Sequence, residues 1–187
     1  MQLVWPAREY LPGYVDALER GWSPDNLRQE AAREHLARIA ADADAFLASL
    51  VDREAAAGPV MLPDGTTVAR LPGYARWIWD GEFCGSIGFR WKPGTELLPP
   101  HCLGHIGYAV VPWKRRLGYA TRALGEILRE ARAEGLRYVE LTTQPDNLPS
   151  QRVILANGGT LVEEFVTLPA LGARLEHRYR IPLDDRG

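Results

Sequence analysis

The sequence predicts an α+β (mixed α/β) fold in which helices flank a central, mostly antiparallel mixed sheet. Three observations carry that prediction. Residues 1 to about 57 are rich in Ala, Glu, Arg and Asp, with apolar side chains three and four positions apart. After Gly58 the texture changes to short runs of Gly, aromatic and β-branched residues. One strand–helix–strand unit interrupts those runs, and such a unit inside a hairpin-connected set makes the sheet mixed.

In order along the chain, Pro12 and Gly21 bracket a short helix through Tyr14, Ala17 and Leu18. Ser23-Pro24 offers an N-cap followed by proline at the first helical position, so a second helix is expected to start there. Leu36, Ile39, Ala43, Phe46 and Leu50 form one apolar face, which Gly58-Pro59 ends. Tyr74–Trp79 and Phe83–Trp91 flank Asp80-Gly81, a strong hairpin signal. Residues 92–103 contain Pro93, Gly94, Pro99 and Pro100 and read as a loop. A strand, His105–Val111, ends at Pro112. A helix with Ala120, Leu124, Ile127, Leu128 and Ala131 on one face then runs to Gly135. Tyr138–Thr143 is a strand, and a short helix runs from near Ser150 to the C-capping Asn157-Gly158-Gly159. Two strands, Thr160–Thr167 and Leu175–Ile181, close the order.

Length and composition bound the function. The 187 residues suit a single domain, 1–187, with a helical segment over 1–58. A net charge of -2 excludes a general polyanion binder, so no nucleic-acid partner is expected. Two cysteines, Cys84 and Cys102, exclude a disulfide scaffold and a four-cysteine zinc site, and no metal is expected. There is no run of 18 apolar residues, so no membrane span is expected. Arg8 and Glu9 come too early for a signal peptide, which makes the cytoplasm the expected compartment.

Val110–Thr121 is the most informative stretch. It lies between a strand and a helix, and Arg115-x-x-Gly118-x-Ala120 places small residues where the turn becomes the helix. Backbone N–H groups there converge on one spot at the positive end of the helix dipole, which suits a pyrophosphate. Lys114, Arg115 and Arg116 add local positive charge. Read blandly, the stretch is a basic turn capping an ordinary helix. Neither a Walker-type loop nor a dinucleotide-binding Gly-x-Gly-x-x-Gly is present, which argues against a nucleotide triphosphatase and a nicotinamide dehydrogenase.

Arg115–Ala120 resembles the Arg/Gln-x-x-Gly-x-Gly/Ala acetyl-CoA loop of the GNAT superfamily of N-acetyltransferases. Asp146-Asn-Leu-Pro-Ser150, running on to Gly158-Gly159, resembles that family's second signature, and the strongest likeness covers about residues 74 to 166. The resemblance implies a GNAT-like three-layer fold with an acetyl-CoA-binding core over 74–166. It implies that Ala109, Val110 and Val111 bind the pantetheine arm through main-chain groups. Arg115, Arg116, Leu117, Gly118, Tyr119, Ala120 and Thr121 would hold the pyrophosphate, and Asn147 and Ser150 would orient the cofactor. The reaction implied is direct transfer of an acetyl group from acetyl-CoA to a primary amine in a ternary complex, with a backbone N–H near Val110 facing the developing oxyanion. The acceptor would be a small molecule, a peptide or a protein, and homodimers are common in the superfamily.

One position departs from the family. Many members carry a Tyr, as acid for the leaving thiolate, where this chain has Ile154. Tyr108, Tyr119 or a water then substitutes, or the thiolate leaves unassisted. That gap also motivates the alternative, a non-catalytic acyl-CoA-binding sensor or regulatory domain. For the base, His105, Glu140 and Glu82 are the candidates. His105 has a suitable intrinsic pKa and shares a strand face with Gly107 and Ala109, which leave room for a substrate; it reads equally as a strand-end histidine that caps the loop. Asp80, Glu82 and Glu96 are candidates for attracting a cationic amine, or simply solvated loop charges. The N-terminal helices, the Trp77–Trp91 hairpin and loop 92–104 are expected to line the acceptor pocket.

Overall fold

The computed structural model describes residues 1–26, 28–62 and 64–183; the rest of the expected 1–187 domain lies outside the described residues. The element order is β1 (Gln2–Val4), α1 (Leu11–Glu19), α2 (Ala31–Ala41), α3 (Ala43–Ser49), β2 (Val51–Asp52), β3 (Val60–Met61), β4 (Thr67–Val68), β5 (Gly73–Trp79), β6 (Phe83–Arg90), β7 (Ile106–Val110), α4 (Tyr119–Ala133), β8 (Tyr138–Thr143), α5 (Leu148–Ala156), β9 (Thr160–Val166) and β10 (Leu175–Pro182). This is the expected α+β fold.

The main sheet is split in two. One part runs β1-β5-β6-β7, with β2 also on β5, and the other runs β8-β10-β9. Every ladder in both parts is antiparallel. The parts meet where the His105 N–H donates to Glu140 O at 2.7 Å, the start of a parallel approach of β7 to β8. A Cβ on Gly104 would stand 2.9 Å from Glu140 O, so only glycine allows the chains to come this close. Beyond that vertex β7 and β8 diverge.

Helices cover both faces, giving three layers. Strand alternation sends Ile78, Ile87, Phe89 and Ile106 to one side, where they pack with Leu124 and Ile127 of α4 and Ile154 of α5. Trp77, Ala109 and Val111 face the other way, against Tyr14 and Leu18 of α1 and Phe46 of α3. Tyr14 stacks on Trp77 with ring centroids 4.7 Å apart. Trp77 and Trp91 are buried, while Trp79 is half-buried against Tyr10.

The N-terminal segment differs from its sequence reading in four ways. The helical stretch does not run to Gly58-Pro59: α3 ends at Ser49 and Val51–Asp52 pair with β5. Gln2–Val4 is a strand paired with Trp77–Trp79, not part of a helical stretch. No helix begins at Ser23: its hydroxyl accepts from the Asp25 N–H and donates to Arg28 O, closing a turn, and α2 starts at Ala31. The face from Leu36 to Leu50 is broken at Asp42, whose extended backbone and side chain cap α3 through the Asp44 and Ala45 N–H groups.

Candidate functional site

The stretch after β7, where the sequence leads one to expect a pyrophosphate cradle, is a turn that runs into α4. Pro112–Lys114 make one 3-10 turn, Arg116 (φ 63) and Gly118 (φ 77) adopt left-handed backbone, and α4 starts at Tyr119. Gly118 sits at the helix N-cap, and nothing stands within 4 Å of where its Cβ would be. The first N–H groups of this 15-residue helix have no acceptor within the helix, and no described residue crowds Gly118 in front of them. Arg115, Arg116 and Leu117 are exposed, and the Arg115 Nε–H donates to Val110 O at 3.3 Å. A pyrophosphate fits this combination of open backbone donors, glycine and two arginines.

Lys114 does not join that charge. Its ammonium lies 3.1 Å from Asp80 and 3.0 Å from Glu82, which push its pKa up. Asp80 also accepts from the Tyr119 hydroxyl. Burial alone would raise the Asp80 pKa, but hydrogen bonds from Tyr119, Lys114 and Cys84 outweigh it and hold the carboxyl well below the usual range. The turn of the β5–β6 hairpin thus anchors the cradle, and Tyr119 is turned to Asp80. Asp80 and Glu82 are engaged by Lys114, and Glu96 by Arg137 at 2.9 Å, so these carboxylates serve ion pairs within the chain. From the other side, the Arg20 guanidinium of α1 stacks 3.5 Å over the Trp113 ring.

The divergence of β7 from β8 opens a cleft of about 520 Å³, lined on one wall by Tyr14, His35 and Asn26 and on the other by Thr142, Gln144 and Glu176. In the β6–β7 ladder the Arg90 N–H donates to His105 O and the Val111 N–H to Cys84 O. Alternation then turns the main-chain groups of Ile106, Tyr108 and Val110 away from β6, toward the gap. Of the three residues expected to present main chain to a pantetheine arm, Val110 has its main chain turned away from β6, its carbonyl accepting from Arg115, while Ala109 and Val111 pair with β6. Tyr108 O accepts from Asn26 Nδ2 at 2.9 Å, a contact that brings the segment after α1 into the cleft.

Asn147 and Ser150 come together at the N-terminus of α5. Asn147 is the N-cap and its side chain accepts from the Ser150 N–H at 3.2 Å. The Ser150 hydroxyl lies 2.9 Å from Tyr108 Oη. Burial pushes the Tyr108 pKa up to about 12, so the phenol keeps its proton at neutral pH. Ile154, one turn further along α5, is fully buried in the core.

The expected bases are placed otherwise. His105 is fully buried, its Nδ1 accepts from the Glu140 N–H at 2.9 Å, and its Nε2 has no partner among the described residues. Burial lowers its pKa to about 4. A sealed neutral ring whose accepting nitrogen is already occupied does not serve as base for an incoming amine. Its place at the vertex between the two parts of the sheet is structural. The Glu140 carboxylate is held by Arg180 at 2.7 Å and Arg178 at 3.2 Å, across adjacent strands. Glu82 is largely exposed beside Lys114. Sequence reasoning missed Glu176 and Asn26, for which strand alternation and loop composition gave no distinguishing sign.

Among the described residues there is no group of three or more His, Cys, Asp or Glu able to hold a metal. No helix among them is long and apolar enough to cross a membrane.

Comparison with known proteins bears on the family and the fold. A family model described as Acetyltransferase (GNAT) family matches residues 63–158. No curated protein matches the chain in sequence. Among solved structures, it is similar to the microcin C7 self immunity acetyltransferase MccE in complex with acetyl-CoA and AMP (TM-score 0.60, 12% identity, 96% of this chain and 91% of that one). It is similar to a ribosomal-protein-serine acetyltransferase assigned in Vibrio cholerae (TM-score 0.59, 15% identity, 97% and 92%). It is also similar to RimL, the ribosomal L7/L12 alpha-N-protein acetyltransferase, in complex with coenzyme A (TM-score 0.58, 16% identity, 97% and 94%). At these identities the likeness establishes the fold.

Proposed function

The chain belongs to the GNAT acetyltransferase family, and on that premise we propose that it transfers an acetyl group from acetyl-CoA to a primary amine of its acceptor by direct attack in a ternary complex. The family itself implies acetyl transfer from acetyl-CoA; the amine and the ternary complex are our reading. The observation that supports it is the cleft of about 520 Å³ lined by Ile106, Gly107 and Tyr108 of β7 and by Leu141, Thr142 and Thr143 of β8, where we place the meeting of the two reactants.

Bound acetyl-CoA supplies an activated thioester carbonyl. The N-terminus of α4, with Arg115, Arg116 and Gly118, would hold its pyrophosphate, and the Val110 main chain would line its arm. A Val110 N–H directed at the gap suits the developing oxyanion. Tyr108 is our candidate for the acid that protonates the leaving sulfur. Its protonated phenol is held at Ser150, on the helix whose usual Tyr position is occupied by Ile154, whereas the Tyr119 hydroxyl is directed to Asp80. The acceptor in this reading is a small-molecule, peptide or protein amine; among the structural neighbours, RimL is named for a protein α-amine and MccE for microcin self-immunity.

The test is direct. Acetyl-CoA is expected to raise the Tm of the wild type, and Arg116→Glu combined with Gly118→Trp to abolish that shift. CoA release in an amine panel, followed with a thiol reagent, should then separate an enzyme from an acyl-CoA sensor. An unchanged Tm shift in the double variant would move the cofactor site elsewhere.

A further inference from the structure

We propose that Glu176 is the residue that binds the cationic amine of the acceptor and takes its proton, an assignment that rests on the acetyl-transfer reading above. Its strand gives it the right direction. On β10, Tyr179 and Ile181 pack into the core with α4 and α5, so Glu176, Arg178 and Arg180 point to the opposite, cleft-facing side. His177 pairs with Thr143, the last residue of β8, which sets Glu176 level with Gln144 at the open end of the gap.

The side chain is only 4% exposed and lines the same cleft as Tyr108 and Ser150. It nevertheless makes no hydrogen bond and no ion pair among the described residues. The neighbour two positions on does not rescue it, because the Arg178 guanidinium is held by Glu140, Glu163 and Leu103 O. A buried carboxylate without a partner is costly, and a fold keeps one where a ligand completes it. An ammonium is the ligand that would.

The surrounding charges are mixed. Burial raises the carboxyl's pKa and Asp146, from the turn after β8, raises it further, while Arg174 and His177 lower it, with a net upward shift. Across the cleft, His35 of α2 lies 2.6 Å from Tyr14 Oη through Nδ1, and burial keeps it neutral. In the step proposed, Glu176 takes one proton from R–NH3+. The neutral nitrogen attacks the thioester carbonyl carbon, and the C–N bond forms as the C–S bond breaks with its electron pair going to sulfur. The sulfur takes a proton from Tyr108, which regains one from the nitrogen. Glu176 returns its proton to water, leaving amide, CoA thiol and one released proton.

The experiment compares wild type, Glu176→Gln and Glu176→Asp in a CoA-release assay with spermidine, L-lysine methyl ester and tripeptide amides bearing a free α-amino group. E176Q is expected to lower kcat/KM for the amine about 100-fold or more, with the Tm shift given by acetyl-CoA unchanged. E176D should recover part of the loss. The wild-type profile should reach its plateau once the carboxyl is ionised, whereas E176Q should rise only toward the amine's own pKa, roughly 10. Removing an unpaired buried charge should also raise the Tm of E176Q at pH 8. An E176Q enzyme with wild-type kcat/KM and pH profile overturns the Glu176 assignment and leaves acetyl transfer standing. If wild type releases no CoA with any amine, the acetyl-transfer reading falls and takes the assignment with it.

Discussion

Tyr108 Oη lies 2.9 Å from Ser150 Oγ, so the strand before the anion cradle and the first turn of α5 touch across the cleft. The contact sets the Tyr108 phenol, which lines the cleft, against the helix that carries Ile154 in place of the usual Tyr. Tyr108→Phe is expected to lower kcat by about 100-fold while leaving the KM for acetyl-CoA nearly unchanged. With the phenol at about 12, the alkaline side of the kcat profile should stay flat through pH 10. An early alkaline fall in steady-state assays would count against Tyr108 as the acid.

Asp80 connects the hairpin turn to the cradle through Lys114 and Tyr119. Asp80→Ala frees both partners and leaves a half-buried ammonium facing Glu82 alone. The cradle should loosen and the KM for acetyl-CoA rise by about tenfold, equivalent to ~1.4 kcal/mol. Isothermal titration with CoA reads the change, and unaltered affinity would show that the anchor does not preorganise the loop.

His105 gives the protein an acid-side weakness. Its pKa is about 4 in the fold against 6.5 when free. As pH falls below 6.5 the unfolded chain takes up a proton that the buried ring refuses until about pH 4. The unfolded state therefore binds more protons in that window, stability rises with pH across it, and about 3 kcal/mol is lost on descending from pH 7 to 4. Urea titrations of His105→Gln against wild type should show a correspondingly flatter dependence. Equal slopes would place the ring in solvent-accessible surroundings.

Gly104→Ala should destabilise without touching any reacting group. The new methyl would stand 2.9 Å from Glu140 O and 3.2 Å from Leu141 Cα, so backbone must give way. Overpacking of this kind costs ~1–3 kcal/mol, or about 2–12 °C in Tm for a chain of this length. Calorimetry checks it, and a Tm within 1 °C of wild type would mean that the vertex is more pliant than its geometry implies.

Most of the core was legible because its signals are local. The hairpin at Asp80-Gly81 and the strand Tyr138–Thr143 each follow from residues within a few positions of one another, whereas α5, expected to start near Ser150, is capped at Asn147 and starts at Leu148. What escaped depends on distant partners. Gln2–Val4 is too short to show a period and becomes a strand only by pairing with Trp77–Trp79. Asp42 interrupts a continuous apolar face with a cap that periodicity does not register. The short β3–β4 hairpin closes near Asp64-Gly65, with strands of two residues each, too short to show a period. In the site, the turn into α4 was readable from Gly118, which takes the left-handed backbone at the helix N-cap. The fates of His105, Glu140 and Lys114 were not, since each is decided by a charge or backbone group that only folding brings near. For Glu176 the decisive fact is the absence of a partner, which no sequence spells out.

The junction at His105 N–H and Glu140 O has a mechanical consequence. Each part of the sheet keeps its own ladder, so the angle between them can change without breaking strand pairing in either. The His105 amide proton sits at the pivot. Its exchange with deuterated water reports how often the two blades swing apart, and a molecule wedged between them should slow or speed that exchange while the amides of β6 and β10 remain indifferent.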